Sequence, residues 1–365
     1  AALHINASEQ EFHTVRIEKT EGSGKLVKMA DINVYINGVR VLSMKGLNIL
    51  PEIGVMVGVE GGRLLLREFR HIGEPSGIPE YLHVAGRQFL RQKSIEKNLE
   101  SLCRGIREAA GKGVQLLLAQ ETSLTGLYSD DPITHTPGPV AEGERKLMEF
   151  IRSTPGAPDV VAGLPIWKQG RNGKMIRYNA SRVYDPDGDI VETCCKVHTC
   201  ERELMYGARL NEFDIYGVPV TLHVCHDQRY PELATLPVMF GSRLVLHPKN
   251  VPEAGARVTS ESIDYHRGWA EAIAQSLDAF YLQSGGMDGF ITGPKKGGSV
   301  VATSAEARHE EKRSRVSGQP GECLFDAKIR IHDAFGYWPV RFFRLSESVA
   351  EAYFSLYKAM GGKRV

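Results

Sequence analysis

Residues 218–250 read VPVTLHVCHDQRYPELATLPVMFGSRLVLHPKN, and this stretch decides the fold. The branched apolar run 218–224 has the composition of a buried strand, and it stops at Cys225. His226-Asp227-Gln228-Arg229-Tyr230-Pro231-Glu232 follows, then apolar residues at helical spacing: Leu233, Leu236, Val238 and Met239. Pro231 suits the first turn of a helix, where its missing N–H is no loss. Residues 244–246 supply a second strand. This order of elements holds a thiol at the mouth of a sheet. A helix N-terminus just beyond Cys225 would favour a thiolate and offer backbone donors to an oxyanion. A lone cysteine at a strand end is by default a small buried hydrophobe. A thiol is only a few per cent ionised near neutrality, so the catalytic reading requires a base and an oxyanion stabiliser elsewhere in the chain.

Composition narrows the field. The chain has 365 residues, 42% hydrophobic and 24% charged, enough for one large domain and a small one. Forty-five basic against 44 acidic side chains leave a net charge of +1, which gives no footprint for nucleic acid or a membrane surface. No apolar run reaches the ~20 residues of a spanning helix, and the N-terminal AALHINASEQ lacks the pattern of a signal peptide. Six cysteines are too few for a disulfide scaffold of this length, so a reduced, cytoplasmic setting is expected.

The chain divides into a β-rich segment 1–73, a linker 74–80, a layered α/β domain 81–345 and a helical tail 346–365. In the first segment Asn37-Gly38 between alternating runs predicts a hairpin. The runs NVYINGVRVL and IGVMVGVEGGRLLLREFRHI resemble the closing strands of a lectin-like (concanavalin A-like) β-sandwich, of which this segment would be less than half. In the larger domain a strand over 81–89 precedes a helix capped by Ser94 and ending before Gly113. The strand 114–119 runs straight into Glu121. Further on come a helix near 143–153, strands over 159–165, 178–184 and 190–197, a helix 262–277, strands 279–284 and 322–331, and a terminal helix 346–360. Alternating strands and helices with hairpin insertions predict layers of helix against sheet.

Three residues at strand ends answer the chemical need in chain order. Glu121 can take a proton from a thiol, Lys196 can balance that carboxylate and donate to an oxyanion, and Cys225 can attack. Each also has a plain structural reading: a turn carboxylate, a solvated strand-end lysine and a packed thiol. The crowding of Cys194, Cys195, His198 and Cys200 around Lys196 invites a metal site, but the spacing fits no zinc motif and adjacent strand residues point to opposite faces.

The blocks AQETSLTGLY (119–128), VVAGLPIW (160–167), YNASRVYDPDGDIVETCCKVH (178–198), VCHDQRYPELA (224–234) and GGSVV (297–301) together resemble the carbon–nitrogen hydrolase (nitrilase) superfamily over most of 80–345. The resemblance implies a four-layer αββα sandwich and a Glu121-Lys196-Cys225 triad working through a thioester. It implies neither metal nor cofactor, and homodimers or larger homo-oligomers. The family's second glutamate falls on Glu201 or Glu203, with Glu201 preferred, and the backbone N–H of His226 is a supporting oxyanion donor. Cys225-His226-Asp227, where nitrile-cleaving members have Cys-Trp-Glu, looks like the amidase and carbamoyl-hydrolase branches, with a small amide or ureido compound as substrate. Asp227, Arg229 and Glu232 are expected to form an ion-pair network behind the thiol. A non-catalytic binding protein on this fold, or acyl transfer to an amine, are the competing functions.

Overall fold

The computed structural model describes residues 15–21, 29–36, 39–48, 79–126, 136–170, 172–199, 204–249, 260–285, 289–294, 300–303, 322–334 and 347–363. The chain divides into two compact units, one of Ala1–Gly77 with Pro339–Phe354 and Val365, the other of Ile78–Trp338 with Ser355–Arg364. In the smaller unit, β1 (Val15–Glu21), β2 (Met29–Ile36) and β3 (Val39–Asn48) form an antiparallel three-stranded sheet in sequence order. Ile36 pairs with Val39, the register of a two-residue hairpin, as Asn37-Gly38 predicts. The run 53–72, which carries half of the lectin-like resemblance, lies outside the described residues.

The larger unit holds two six-stranded mixed sheets. The first has the order β15-β4-β5-β6-β7-β8 and the second β14-β13-β12-β11-β10-β9. The members of the first are β4 (Tyr81–Gln88), β5 (Leu116–Ala119), β6 (Asp159–Gln169), β7 (Met175–Tyr184), β8 (Ile190–Cys195) and β15 (Cys323–Arg330). Those of the second are β9 (Glu212–Ile215), β10 (Val218–Leu222), β11 (Leu244–Pro248), β12 (Phe280–Ser284), β13 (Phe290–Thr292) and β14 (Val300–Thr303). Each sheet has three parallel strands at its heart, β4-β5-β6 and β10-β11-β12. Such strands are covered on both faces, which is why they read as unbroken apolar runs.

Three buried clusters define four layers. Leu82, Val84, Leu116 and Leu118 of the first sheet meet Val220, Leu222, Leu244, Leu246 and Leu282 of the second. Leu117 and Ala119, pointing the other way, pack under α1 (Ile95–Gly111) and α2 (Pro137–Ser153) through Leu102, Ile106, Leu147 and Ile151. Val245 and Tyr281 pack under α3 (Glu232–Met239) and α4 (Ser260–Leu277) through Ala234, Ala270, Ile273 and Ala274. Helix, sheet, sheet, helix is the four-layer sandwich that the resemblance implies.

Several local expectations hold and others shift. The Ser94 side chain accepts from Lys97 N at 3.3 Å, and Gly113 takes the left-handed backbone that ends α1. α2 starts at Pro137, six residues before the expected 143, because proline at a first helical position starts helices rather than breaking them. β9 was not foreseen: the turn joining it to β10 uses Tyr216 at φ 50 and Gly217 at φ 76, and a tyrosine is a poor advertisement for a left-handed turn. The last helix, α5 (Glu347–Ala359), is shared between the two units, with Tyr357 donating to Glu212 inside the larger one.

Candidate active site

Glu121 lies just past the end of β5, in a turn that packs hard against β6. Leu124 N donates to Gly163 O at 3.0 Å, and Gly163 N donates to Ser123 Oγ at 2.9 Å. A Cβ on Gly163 would come within 2.3 Å of Thr122 N and 2.9 Å of the Glu121 carbonyl carbon, so only glycine permits this approach. Arg91 Nη1 holds the other side, donating to Glu121 O at 2.9 Å and to Thr122 Oγ1 at 2.8 Å. The Glu121 carboxylate is thereby carried into the interior, 2% exposed.

There Glu121 Oε1 accepts two hydrogen bonds, from Lys196 Nζ at 3.0 Å and from Asn179 Nδ2 at 2.7 Å. Lys196, directly after β8, is 1% exposed. Its backbone is fixed on both sides, N–H to Asn179 O at 2.8 Å and carbonyl from Gly207 N at 2.7 Å. A lysine this deep needs a counter-charge, and the carboxylate supplies it. The solvated-lysine and surface-turn readings are excluded by this geometry. Asn179 is a site residue the sequence reading passed over, although it stands in the block YNAS. Around Asn179 β7 is buried on both faces, 179–181, so alternation gave no sign that one of its polar side chains points at a carboxylate.

Cys225 is half-buried, packed against the core between the sheets, and has a left-handed backbone at φ 49. For a residue with a Cβ this costs about 1–2 kcal/mol. It opens a short 3-10 turn, Cys225–Arg229, so the thiol is not at a helix N-terminus as expected; α3 begins only at Glu232. What orders the turn is Asp227. Its Oδ2 accepts from Val224 N at 3.0 Å and from Val197 N at 3.2 Å, and its Oδ1 accepts from His198 N at 2.7 Å. One carboxylate therefore ties the residue before Cys225 to the residue after Lys196, across the two sheets. Burial pushes the Asp227 carboxyl up to about 7, against the pull of these amides and of nearby Lys196.

The expected ion-pair network of Asp227, Arg229 and Glu232 gives way to this arrangement: Asp227 is engaged with amides, Arg229 is exposed, and Glu232 stands 4.0 Å from His198. The ring of His226 faces Tyr230 edge-on at 5.9 Å, and the ring of His198 stacks on Tyr230 at 3.5 Å. Glu201, Glu203 and Cys200 lie outside the described residues. Cys194 and Cys195 point into different cores, as neighbours on a strand must. Among the described residues no group of three or more His, Cys, Asp and Glu side chains could hold a metal ion, and no helix is long and apolar enough to cross a membrane.

A two-sheet α/β sandwich carrying a buried carboxylate–lysine pair and a thiol on a strained turn defines a class of enzyme-like scaffold, and the family comparison agrees. Residues 83–304 match the carbon–nitrogen hydrolase family model, and the chain belongs to that family. Omega-amidase NIT2-B of Xenopus laevis is 27% identical over 176 residues, 44% of this chain and 60% of that protein. The chain thus spans about 60% of the length of these curated relatives. An amidase from Nesterenkonia sp. superposes with a TM-score of 0.55 at 17% identity, covering 73% of this chain and 98% of its own, which shows the shared fold. A variant of that enzyme, with a TM-score of 0.55, 17% identity and coverage of 74% and 97%, shows covalent addition of the acetamide moiety of fluoroacetamide at the active-site cysteine.

Proposed function

We propose that this protein is a cysteine amidohydrolase that cleaves the C–N bond of a small linear amide or N-carbamoyl compound. The observation that carries the reading is the buried Glu121–Lys196 pair, held 3.0 Å apart and tied through Asp227 to the turn that bears Cys225. In this mechanism Cys225 Sγ attacks the amide carbon while its proton passes to Glu121. Negative charge gathers on the former carbonyl oxygen and is met by Lys196 and the backbone N–H of His226. The C–N bond breaks as Glu121 returns the proton to the leaving nitrogen, releasing ammonia or amine and leaving a thioester on Cys225. Glu121 then takes a proton from water, whose oxygen attacks the thioester carbon, and the thiol leaves with its proton restored. Glu201 serves in the proposal as a supporting carboxylate. Cys-His-Asp at 225–227 favours amides and ureides over nitriles, and the family resemblance favours a homodimer.

Ammonia release measured across a panel of short amides, ureides and nitriles tests this reading. Turnover of amides or ureides that disappears in Cys225→Ala is expected. Nitrile turnover alone, or amide turnover that survives Cys225→Ala, would contradict it. Product analysis with a primary amine added at substrate concentration separates hydrolysis from acyl transfer: free acid as the main product assigns hydrolysis, and an N-substituted amide formed faster than the acid assigns transfer.

A further inference from the structure

Behind the thiol, on the helix-facing side of the second sheet, lies a polar cluster that the proposed chemistry does not use. His223, His247, Tyr281 and Gln283 stand on β11, β12 and the end of β10, all at most 1% exposed. The three rings are 5.3 to 5.7 Å apart, tilted or edge-on to one another. Burial pushes His223 well below the ordinary histidine range, so it stays a neutral ring against His247.

His247 is different because both its nitrogens are engaged. Nε2 meets the carbonyl oxygen of Cys225 at 3.0 Å, and Nδ1 meets the Gln283 side chain at 2.9 Å. A carbonyl only accepts, so Nε2 must carry a proton and donate it. Gln283 can meet Nδ1 with either end of its amide, so the ring needs no second proton. The carbonyl captured here belongs to the one residue of the turn whose backbone is left-handed, at φ 49.

We propose that His247 is a positioning residue for Cys225: its Nε2–H holds the carbonyl of the strained nucleophile turn, and Gln283 fixes the ring from behind. This rests on reading Cys225 as the nucleophile. A strained backbone persists only where its surroundings over-determine it. Asp227 grips the turn from the side of the first sheet through Val224, and His247 grips it from β11 through Cys225 itself. With the His247 bond gone, the carbonyl can rotate and the thiol swings away from Lys196 and Glu121. A displacement near 1 Å is enough to slow a positioned reaction roughly 100-fold.

The test compares carbamidomethylation of Cys225 by iodoacetamide, followed by peptide mass spectrometry, in the wild type, His247→Leu and His247→Gln. Glutamine can place an N–H where Nε2 stands, and leucine fills the space with no donor. Cys225 in His247→Leu should react roughly 10- to 100-fold more slowly, with most of the rate recovered in His247→Gln. Equal rates in all three proteins, or equal losses in both variants, would overturn the inference. Imidazole 15N spectra of the wild type give an answer independent of variant folding: a protonated Nε2 is expected, and a bare Nε2 with the proton on Nδ1 would overturn it. Amide turnover that survives Cys225→Ala removes the nucleophile reading; its loss in Cys225→Ala alongside unchanged reactivity in His247→Leu removes only the role of His247.

Discussion

At the scale of single residues, a buried charge pair couples chemistry to stability. Glu121→Gln keeps one oxygen to accept from Lys196 and Asn179 but removes the lysine's counter-charge, so amide turnover should collapse and the melting temperature should fall, read by ammonia release beside a thermal melt. Lys196→Ala should lower both, because it leaves a carboxylate buried without its counter-charge; about 3–5 kcal/mol of stability is expected to go. Asp227 adds a pH term of known sign. Its folded-state proton is held up to about 7, above the usual carboxylate value near 4. Raising pH from about 4 to about 7 therefore strips the unfolded chain first and favours unfolding, after which the effect levels off. The stability of the wild type relative to Asp227→Asn should fall across that window in urea titrations, and a difference that rises with pH would reverse the account. Glu121, Lys196 and Cys225 were legible in the sequence because each ends an apolar run. Asn179, His247 and Gln283 were not, since strands buried on both faces give polar side chains no alternation to stand out from.

At the scale of elements, the turn after β5 shows how one glycine sets the place of Glu121 against β6. Gly163→Ala would drive a methyl into Thr122 N and the backbone of Glu121, which cannot yield as a side-chain tip would. Overpacking of this kind costs about 1–3 kcal/mol, and the predicted signature is a loss of turnover larger than the loss of melting temperature would explain. A melt lowered with turnover per folded molecule unchanged would mean that the turn moves without moving Glu121. Most strands and helices could be read from the sequence, because apolar runs and caps such as Ser94 have direct physical causes. Of the elements that escaped, β9 depends on a left-handed tyrosine and the start of α2 on a proline that starts a helix, while β13 is only three residues long.

At the scale of the whole molecule, the layers of the sandwich are held by three apolar clusters, a fourth gathers Leu210, Leu233, Leu236 and Tyr357, and every described residue proposed for catalysis lies in the larger unit. Deleting residues 1–73 should consequently leave turnover per folded molecule unchanged while lowering solubility, measured by ammonia release and sedimentation. Loss of turnover in a soluble, folded remainder would assign the segment to the active site. The layered fold was the most legible feature of the sequence, since periodicity and family blocks agree on it.

The central claim is that Cys225 forms the covalent bond to substrate, and the mass of the intact protein tests it most directly. The full chain, mixed with a slowly turned-over amide and quenched in acid, should gain the mass of the acyl group, with the added mass on the peptide that contains Cys225. Cys225→Ala under the same conditions should gain nothing and release no ammonia. Wild-type turnover in Cys225→Ala, or an acyl adduct on any other residue that turns over with substrate, would contradict the account.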